Sequence, residues 1–437
     1  MLSLDPSDLG AAVWTILSWG TAFLAIFLFS YRNRILSIFD PLLVLVVGQV
    51  AYCVMGLALV SSPALLFQLL ASQAALVFGF LMARRPEVRS GTIAWTSRNI
   101  QIAEWTVFLL FLLLLSANLW LGVVAGFPVF SNNPQAAKES VYEGGLGLIR
   151  RINMGVGTFV PAGTLLLALK GKHKTLFGIC FAGCILISSL TGSKGALLGF
   201  LEIIGYVLCR RDLISRRGSR RLWAIAMALV MASIVLGVAV VYVVTKDWGV
   251  AIAGFLGRIL LQGDVIIYYY DPRVLPHFAS YNPLDFVTML LSPILGELRL
   301  TPYALPLGYQ MVLYFWEGAL NPDYVIGPNT PFFVAGHIYF GSFFGVIYCG
   351  FVGYFVASVR GWFLEAQGIS PLRLMWLLSL AVLVFSLPTE VTLFTGPLMD
   401  MAVMVFGTFV FAHFLSFILT PGPEALDFLD MKIVRRA

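Results

Sequence analysis

The sequence predicts an all-α, polytopic integral membrane protein, a helical bundle of about eleven transmembrane helices with a large extracytoplasmic loop. Three observations predict it: a shortage of charge, apolar runs of spanning length, and a one-sided distribution of lysine and arginine. Of 437 residues, 59% are hydrophobic and 11% charged, against about 25% charged in an average soluble chain. A soluble fold with so few charges could not cover its surface. The apolar residues come in runs of roughly 20, the length that crosses about 30 Å of hydrocarbon. Inside that slab each segment must satisfy its own backbone N–H and C=O groups, so runs this long are helices. The shorter alternating segments of a membrane β-barrel do not occur in the sequence.

In chain order the spans are expected at 11–31, 42–60, 64–83, 104–126, 153–169, 175–190, 195–209, 222–244, 331–358, 373–388 and 397–420. The first is long enough to span and lacks the basic n-region of a cleavable signal peptide. The sixth and seventh are short. They read as a hairpin that turns before crossing fully, or as two helices tilted against a cavity. No repeat is evident and no segment between spans is large enough to fold alone, so residues 1–437 read as a single membrane domain. The five cysteines lie within apolar spans or at their ends without metal-ligand spacing, and Cys180 and Cys184 share a helix face, which suits packing.

Orientation follows from the basic residues of the short loops. Twenty of the 28, including Arg34, Arg84, Arg210, Arg360 and Arg373, map to one side. That side is expected to be cytoplasmic, which puts the N-terminus outside and the C-terminus inside. Orientation and attraction to anionic headgroups account for these inner charges without further function. The other eight, Lys138, Arg150, Arg151, Lys194, Lys246, Arg258, Arg273 and Arg299, map outside or near the outer boundary. Positive charge is disfavoured there, so they are candidates for binding an anion. The alternative is pairing with nearby acids such as Asp264, Asp271 or Glu297.

Two outer loops stand out. The first, 126–151, carries the turn signals Asn-Asn-Pro and Gly-Gly and ends in Arg150-Arg151. The second, 245–330, is far longer than an ordinary connection and is half-apolar, broken by Gly and Pro. It reads as interfacial or re-entrant helices. Its tyrosines, Tyr268, Tyr269 and Tyr270 among them, form either an interfacial belt or a surface that stacks on sugar rings. Thr191-Gly192-Ser193-Lys194-Gly195, between the sixth and seventh spans, sets a cation at a glycine-rich helix start, where an anion is favoured. It is too short for a Walker A loop. Of four histidines, His337 lies just inside the ninth span, after Gly327-Pro328-Asn329-Thr330-Pro331. A histidine at that depth is costly unless it faces a polar cavity, which makes it a candidate base. Glu297, Glu317, Asp264 and Glu390 are the candidate acids.

Asp40-Pro41-Leu42 opening the second span, Leu190 to Leu198 (LTGSKGALL), and Gly327 to Gly345 (GPNTPFFVAGHIYFGSFFG) after a large outer loop together resemble the Wzy-type oligosaccharide repeat unit polymerases of bacterial surface polysaccharides. Lys194 stands where that family's G-S-R-G pattern has arginine. The resemblance covers most of the chain in topology and some 35 residues in motif. It implies a GT-C-like membrane glycosyltransferase in the bacterial inner membrane, with its active site facing the periplasm. Such an enzyme moves a growing glycan from one undecaprenyl-diphosphate carrier to a second lipid-linked repeat unit, without nucleotide sugar, cofactor or metal. Its partners would be the lipid-linked donor and acceptor and the bilayer, not nucleic acid, with room for a chain-length regulator protein.

The residues suit such chemistry. Arginine forks grip phosphate oxygens bidentately and stabilise charge developing on a diphosphate leaving group. Arg151, Lys194, Arg258 and Arg299 are the first candidates for this, then Arg150 and Arg273, with Arg258 closest to the chemistry and Tyr270 as a sugar contact. For the general base, His337 stands first and Glu297 second. Rival expectations are an O-antigen ligase-like transferase, a transporter or flippase for a charged or lipid-linked substrate, and a structural membrane subunit.

Overall fold

The computed structural model describes residues 6–87, 95–131, 147–190, 194–210, 212–260, 263–301, 304–316 and 328–419. Among these residues the chain is helical, without strands. The helices are α1 (Pro6–Tyr31), α2 (Leu42–Leu59), α3 (Pro63–Met82), α4 (Ser97–Val124), α5 (Gly147–Val156), α6 (Phe159–Lys170), α7 (Lys174–Leu190), α8 (Lys194–Cys209), α9 (Arg216–Thr245), α10 (Trp248–Leu260), α11 (Val265–Tyr269), α12 (Pro283–Glu297), α13 (Leu307–Phe315), α14 (Phe332–Glu365), α15 (Pro371–Leu383) and α16 (Val391–Leu419). Seven helical segments are long and apolar enough to cross a bilayer, in α2, α3, α4, α5 with α6, α9, α14 and α16. Five apolar helical segments are shorter: Leu17–Tyr31, Lys174–Leu190, Leu197–Cys209, Pro283–Gly296 and Pro371–Ser386. The protein is a polytopic helical membrane protein.

Helix ends follow local chemistry. The Thr96 hydroxyl accepts from Asn99 N at the start of α4, and that of Ser215 from Gly218 N at the start of α9. Asn282 and Asp285 form a capping box on α12. Each such contact satisfies an N–H that has no acceptor within the helix.

The chain forms two compact units. One comprises Met1–Ser90, Leu197–Glu365 and Leu380–Gly396; the other comprises Gly91–Ala196, Ala366–Ser379 and Pro397–Ala437.

In the first unit the expected ninth span departs from a simple crossing. Gly341 breaks α14 with φ 74° and ψ −176°, a conformation that only glycine adopts cheaply. Residues 332–340 then fold back on residues 342–365. Cys349 Sγ lies 3.8 Å from Phe332 O, although 17 residues of straight helix would separate them by about 25 Å. Gly336 faces Gly345 so closely that a methyl on Gly345 would sit 2.6 Å from Gly336 O. The pairs 332/349 and 336/345 share one sum, as an antiparallel hairpin requires. We term residues 332–340 the short arm and residues 342–365 the long arm.

The long arm packs on α3 at backbone distance. A methyl at Gly79 would overlap the Gly350 carbonyl, and one at Gly353 would overlap that of Leu76. Gly345, Cys349, Gly353 and Ala357 recur every four residues and form one small-residue stripe. Such stripes let membrane helices approach closely, with dispersion in place of a hydrophobic driving force.

At the far end of the long arm, basic residues expected to serve orientation and headgroups prove to be internal ties. Arg360 and Arg210 are fully buried. Arg360 Nη2 donates to Asp40 Oδ2 (2.6 Å) and to Arg34 O (2.9 Å). Asp40 also accepts from Leu36 N (2.8 Å) and Leu42 N (3.0 Å), so the counter-ion also caps α2. Arg34 Nη2 donates to Leu81 O (2.6 Å) and Ala83 O (2.7 Å). Arg210 pairs with Asp212 and donates to Phe363 O (2.9 Å). Positive-inside counting sees these charges but not their burial, which desolvation permits only with partners in place.

Polar contacts also tie the second unit. Glu104 accepts from Lys172 N (2.7 Å) and His173 N (3.0 Å) and meets His173 Nδ1 at 2.8 Å, which fixes the turn between α6 and α7. Arg151 Nη1 donates to Asp400 Oδ1 at 2.9 Å. Beside it Asn118 Nδ2 donates to Asn153 Oδ1 at 2.7 Å.

Removing one partner of a buried pair strands the other charge, at a cost of about 3–5 kcal/mol. Arg360→Ala should therefore lower the thermal midpoint of the purified protein by several degrees. The double variant Arg360→Met with Asp40→Asn, which removes both charges and keeps a side-chain oxygen for Leu42 N, should lose less. A midpoint unchanged in Arg360→Ala would show that the pair does not hold the fold.

Candidate functional site

The hairpin tip is where polar chemistry converges in the first unit. The chain enters the short arm through Pro328-Asn329-Thr330-Pro331, an extended segment at the level of Cys349, well below the tip. Buried irregular backbone must find acceptors, and Thr330 is buried. The two prolines carry no N–H. Thr330 N donates to Glu390 Oε2 (2.9 Å) and Phe332 N to Pro388 O (3.1 Å). Glu390 Oε1 accepts from Thr392 Oγ1 at 2.9 Å. Glu390, a candidate acid in the sequence, is a backbone acceptor here.

The short arm then rises to His337, one turn before Gly341. Its Nδ1 lies 2.7 Å from Tyr269 Oη and its Nε2 3.2 Å from Ser342 Oγ. Tyr269 also meets the imidazole edge-on, with centroids 5.9 Å apart. On a continuous helix residues five apart do not face each other; the break at Gly341 brings Ser342 to His337. The long arm begins at Ser342, so its first-turn N–H groups and the positive end of its dipole face the same tip. Among the described residues His337 has no carboxylate partner.

Helices between residues 263 and 316 surround this tip with rings. Tyr270 Oη donates to Gln68 Oε1 (3.4 Å), while Gln68 Nε2 donates to Ser72 Oγ (3.2 Å) and Phe333 O (3.5 Å). Tyr281 Oη donates to Gln310 Oε1 (2.7 Å) and its ring packs on Tyr339. Phe286 touches Tyr339, Phe340 and Tyr348. His277 stacks on Tyr314 at 4.0 Å. Much of the aromatic concentration is thus spent on ring–ring contacts. Asp264, at the start of α11, is half-buried, and burial pushes its carboxyl up to about 6.

The expected site residues divide as follows. His337, Tyr270 and Arg273 belong to the first unit. Arg273 pairs with Asp271 (2.9 Å) and lies over the Phe315 ring at 4.6 Å. That contact holds the Asp271 carboxyl below its usual range. Arg299 is exposed at the end of α12, with φ 55°. Arg150, exposed on α5, and Arg151, bound to Asp400, belong to the second unit. The side chains of Arg258, Glu297 and Lys194 lie outside the described residues, as do Thr191–Ser193, Lys138 and Glu317. Ser342 and Gln68 were not singled out by sequence, and Tyr269 only as one ring in a triplet. Among the described residues no group of three or more His, Cys, Asp or Glu could hold a metal ion.

No protein-family model, curated protein or solved structure matches the chain.

Asp264 binds its proton more tightly folded than unfolded, where its pKa is about 3.9. Its neutral form therefore favours the fold fully below about pH 4, and that contribution is lost as pH rises through about 6. Asp264→Asn should accordingly gain a few degrees of thermal midpoint over the parent at pH 7.5 and little at pH 4. An equal difference at both pH values would rule out this titration.

Proposed function

We propose that this protein is a membrane glycosyltransferase of the Wzy type. It polymerises undecaprenyl-diphosphate-linked repeat units into a surface polysaccharide on the outer face of the bacterial inner membrane. The reading includes a GT-C-like arrangement, eleven spans, an outer N-terminus and an inner C-terminus. The observation that carries it is the environment of His337, a histidine bracketed by two hydroxyls at the tip of a re-entrant hairpin.

The tautomer with the proton on Nδ1 donates to Tyr269 and leaves Nε2 free to accept from a hydroxyl. Ser342 Oγ marks where an acceptor sugar hydroxyl would stand. In the reaction that hydroxyl oxygen attacks the anomeric carbon of the donor and its proton passes to Nε2. The bond from anomeric carbon to phosphate oxygen breaks, and its electron pair leaves with the diphosphate. Stabilising that charge is the work of cations, for which Arg258, Arg273 and Arg299 of the same unit are the candidates. The long arm's N-terminus adds a favourable dipole.

A second reading has one observation in its favour. Glycine-broken half-helices with irregular backbone at depth also build the binding sites of secondary transporters, and the hairpin at Gly341 is of that kind.

One assay separates the readings. Purified protein would receive lipid-diphosphate-linked repeat units without nucleotide sugar. A ladder of lengthened products is expected, and His337→Ala should slow it by about 10²–10⁴-fold, the range of general-base catalysis. Tyr269→Phe should have a smaller effect. An undiminished ladder in His337→Ala removes this residue from the chemistry. Translocation of the lipid-linked unit between leaflets without lengthening would establish transport instead.

A further inference from the structure

The second unit holds a groove of about 1070 Å³ that the glycan chemistry does not use. It is lined by the starts of α4 and α15 and by residues 402–413 of α16. Asn99, Ser370 and Arg373 stand at the starts of α4 and α15, and His413 closes the stretch along α16, which antiparallel α15 and α16 bring to one end. Ile102, Val403, Phe406 and Phe409 line the rest. Along α16 the lining runs from Ala402 to His413, a rise of about 16 Å. That is roughly half of a 30 Å hydrocarbon core, the depth of one leaflet. Trp376 lies in the wall, a residue type suited to the headgroup level.

The polar end is positive. Arg373 is exposed, and its guanidinium has no partner among the described residues. His413 is exposed and touches Phe409. Two helices, α4 and α15, begin at this end, so both dipoles point their positive poles toward it. An apolar trough one leaflet deep with a cation at its mouth fits a single acyl lipid with an anionic head. Basic pockets between membrane helices bind such heads. We infer that this groove is a specific site for an anionic phospholipid, with Arg373 holding the phosphate, Asn99 and His413 beside it, and the acyl chain along α16. The inference does not depend on the catalytic reading.

The test uses the full-length protein in detergent, titrated with phosphatidylglycerol, phosphatidylcholine or undecaprenyl phosphate, with bound lipid counted by native mass spectrometry. Phosphatidylglycerol should be retained over phosphatidylcholine. Arg373→Gln should lower its affinity by about fivefold, the effect of one basic residue near an anionic lipid surface, and Arg373→Lys should largely keep it. Ala402→Trp, which fills the trough and leaves the cation in place, should also displace the lipid and decides the matter if Arg373→Gln fails to give a monodisperse protein. Equal retention of the two phospholipids, or indifference to both Arg373→Gln and Ala402→Trp, would overturn the inference. Displacement of phosphatidylglycerol by equimolar undecaprenyl phosphate would overturn it too, by making the polyprenyl carrier the occupant.

Discussion

A polypeptide inside a bilayer can abandon helical geometry only where something else accepts its N–H groups. In the first unit Glu390 and Pro388 are those acceptors, serving Thr330 and Phe332. The two flanking prolines reduce the demand by having no N–H. Everything at the hairpin tip depends on this small set of bonds. They allow a buried, non-helical entry and let the short arm rise to Gly341. They thereby set His337 between Tyr269 and Ser342.

The long arm links that tip to an ionic anchor. Arg360 stands 18 residues beyond Ser342, about 27 Å along the helix, and is held by Asp40 and the Arg34 carbonyl. Between these ends the arm lies against α3 with no room for a side chain at Gly353. Small residues give dense dispersion contact, and the buried pair fixes the register. A rod seated so closely cannot slide without unmaking both. The position of the catalytic candidate is therefore specified from the opposite end of the helix.

The fold class was readable because its cause is gross. Too little charge and runs of roughly 20 apolar residues admit few architectures. The break at Gly341 was not readable in the same way. Residues 332–357 are apolar but for His337 and Ser342, and hydropathy is blind to one glycine at positive φ. The arginines expected on the inner side show the complementary failure. Their sequence positions mark a side of the membrane, but nothing local says that Arg360 meets Asp40 across 320 residues. His337 drew notice from cost alone, as a histidine within an expected span. Its partners did not, since Tyr269 looks like its two tyrosine neighbours and Ser342 sits at a spacing that an unbroken helix would turn away.

The Thr330–Glu390 bond also bears on how the protein is made. A nine-residue arm is too short to partition into lipid as a crossing segment, and the acceptor for Thr330 lies 60 residues further along the chain. At about 5–20 residues per second of synthesis, that acceptor leaves the ribosome about 3 to 12 s after the donor. During that interval the entry segment has water as its only ready source of hydrogen bonds. Residues 328–340 must then wait at the membrane surface or in the insertion machinery, and settle only after the segment around Glu390 has arrived. The site is on this account among the last parts of the protein to assemble.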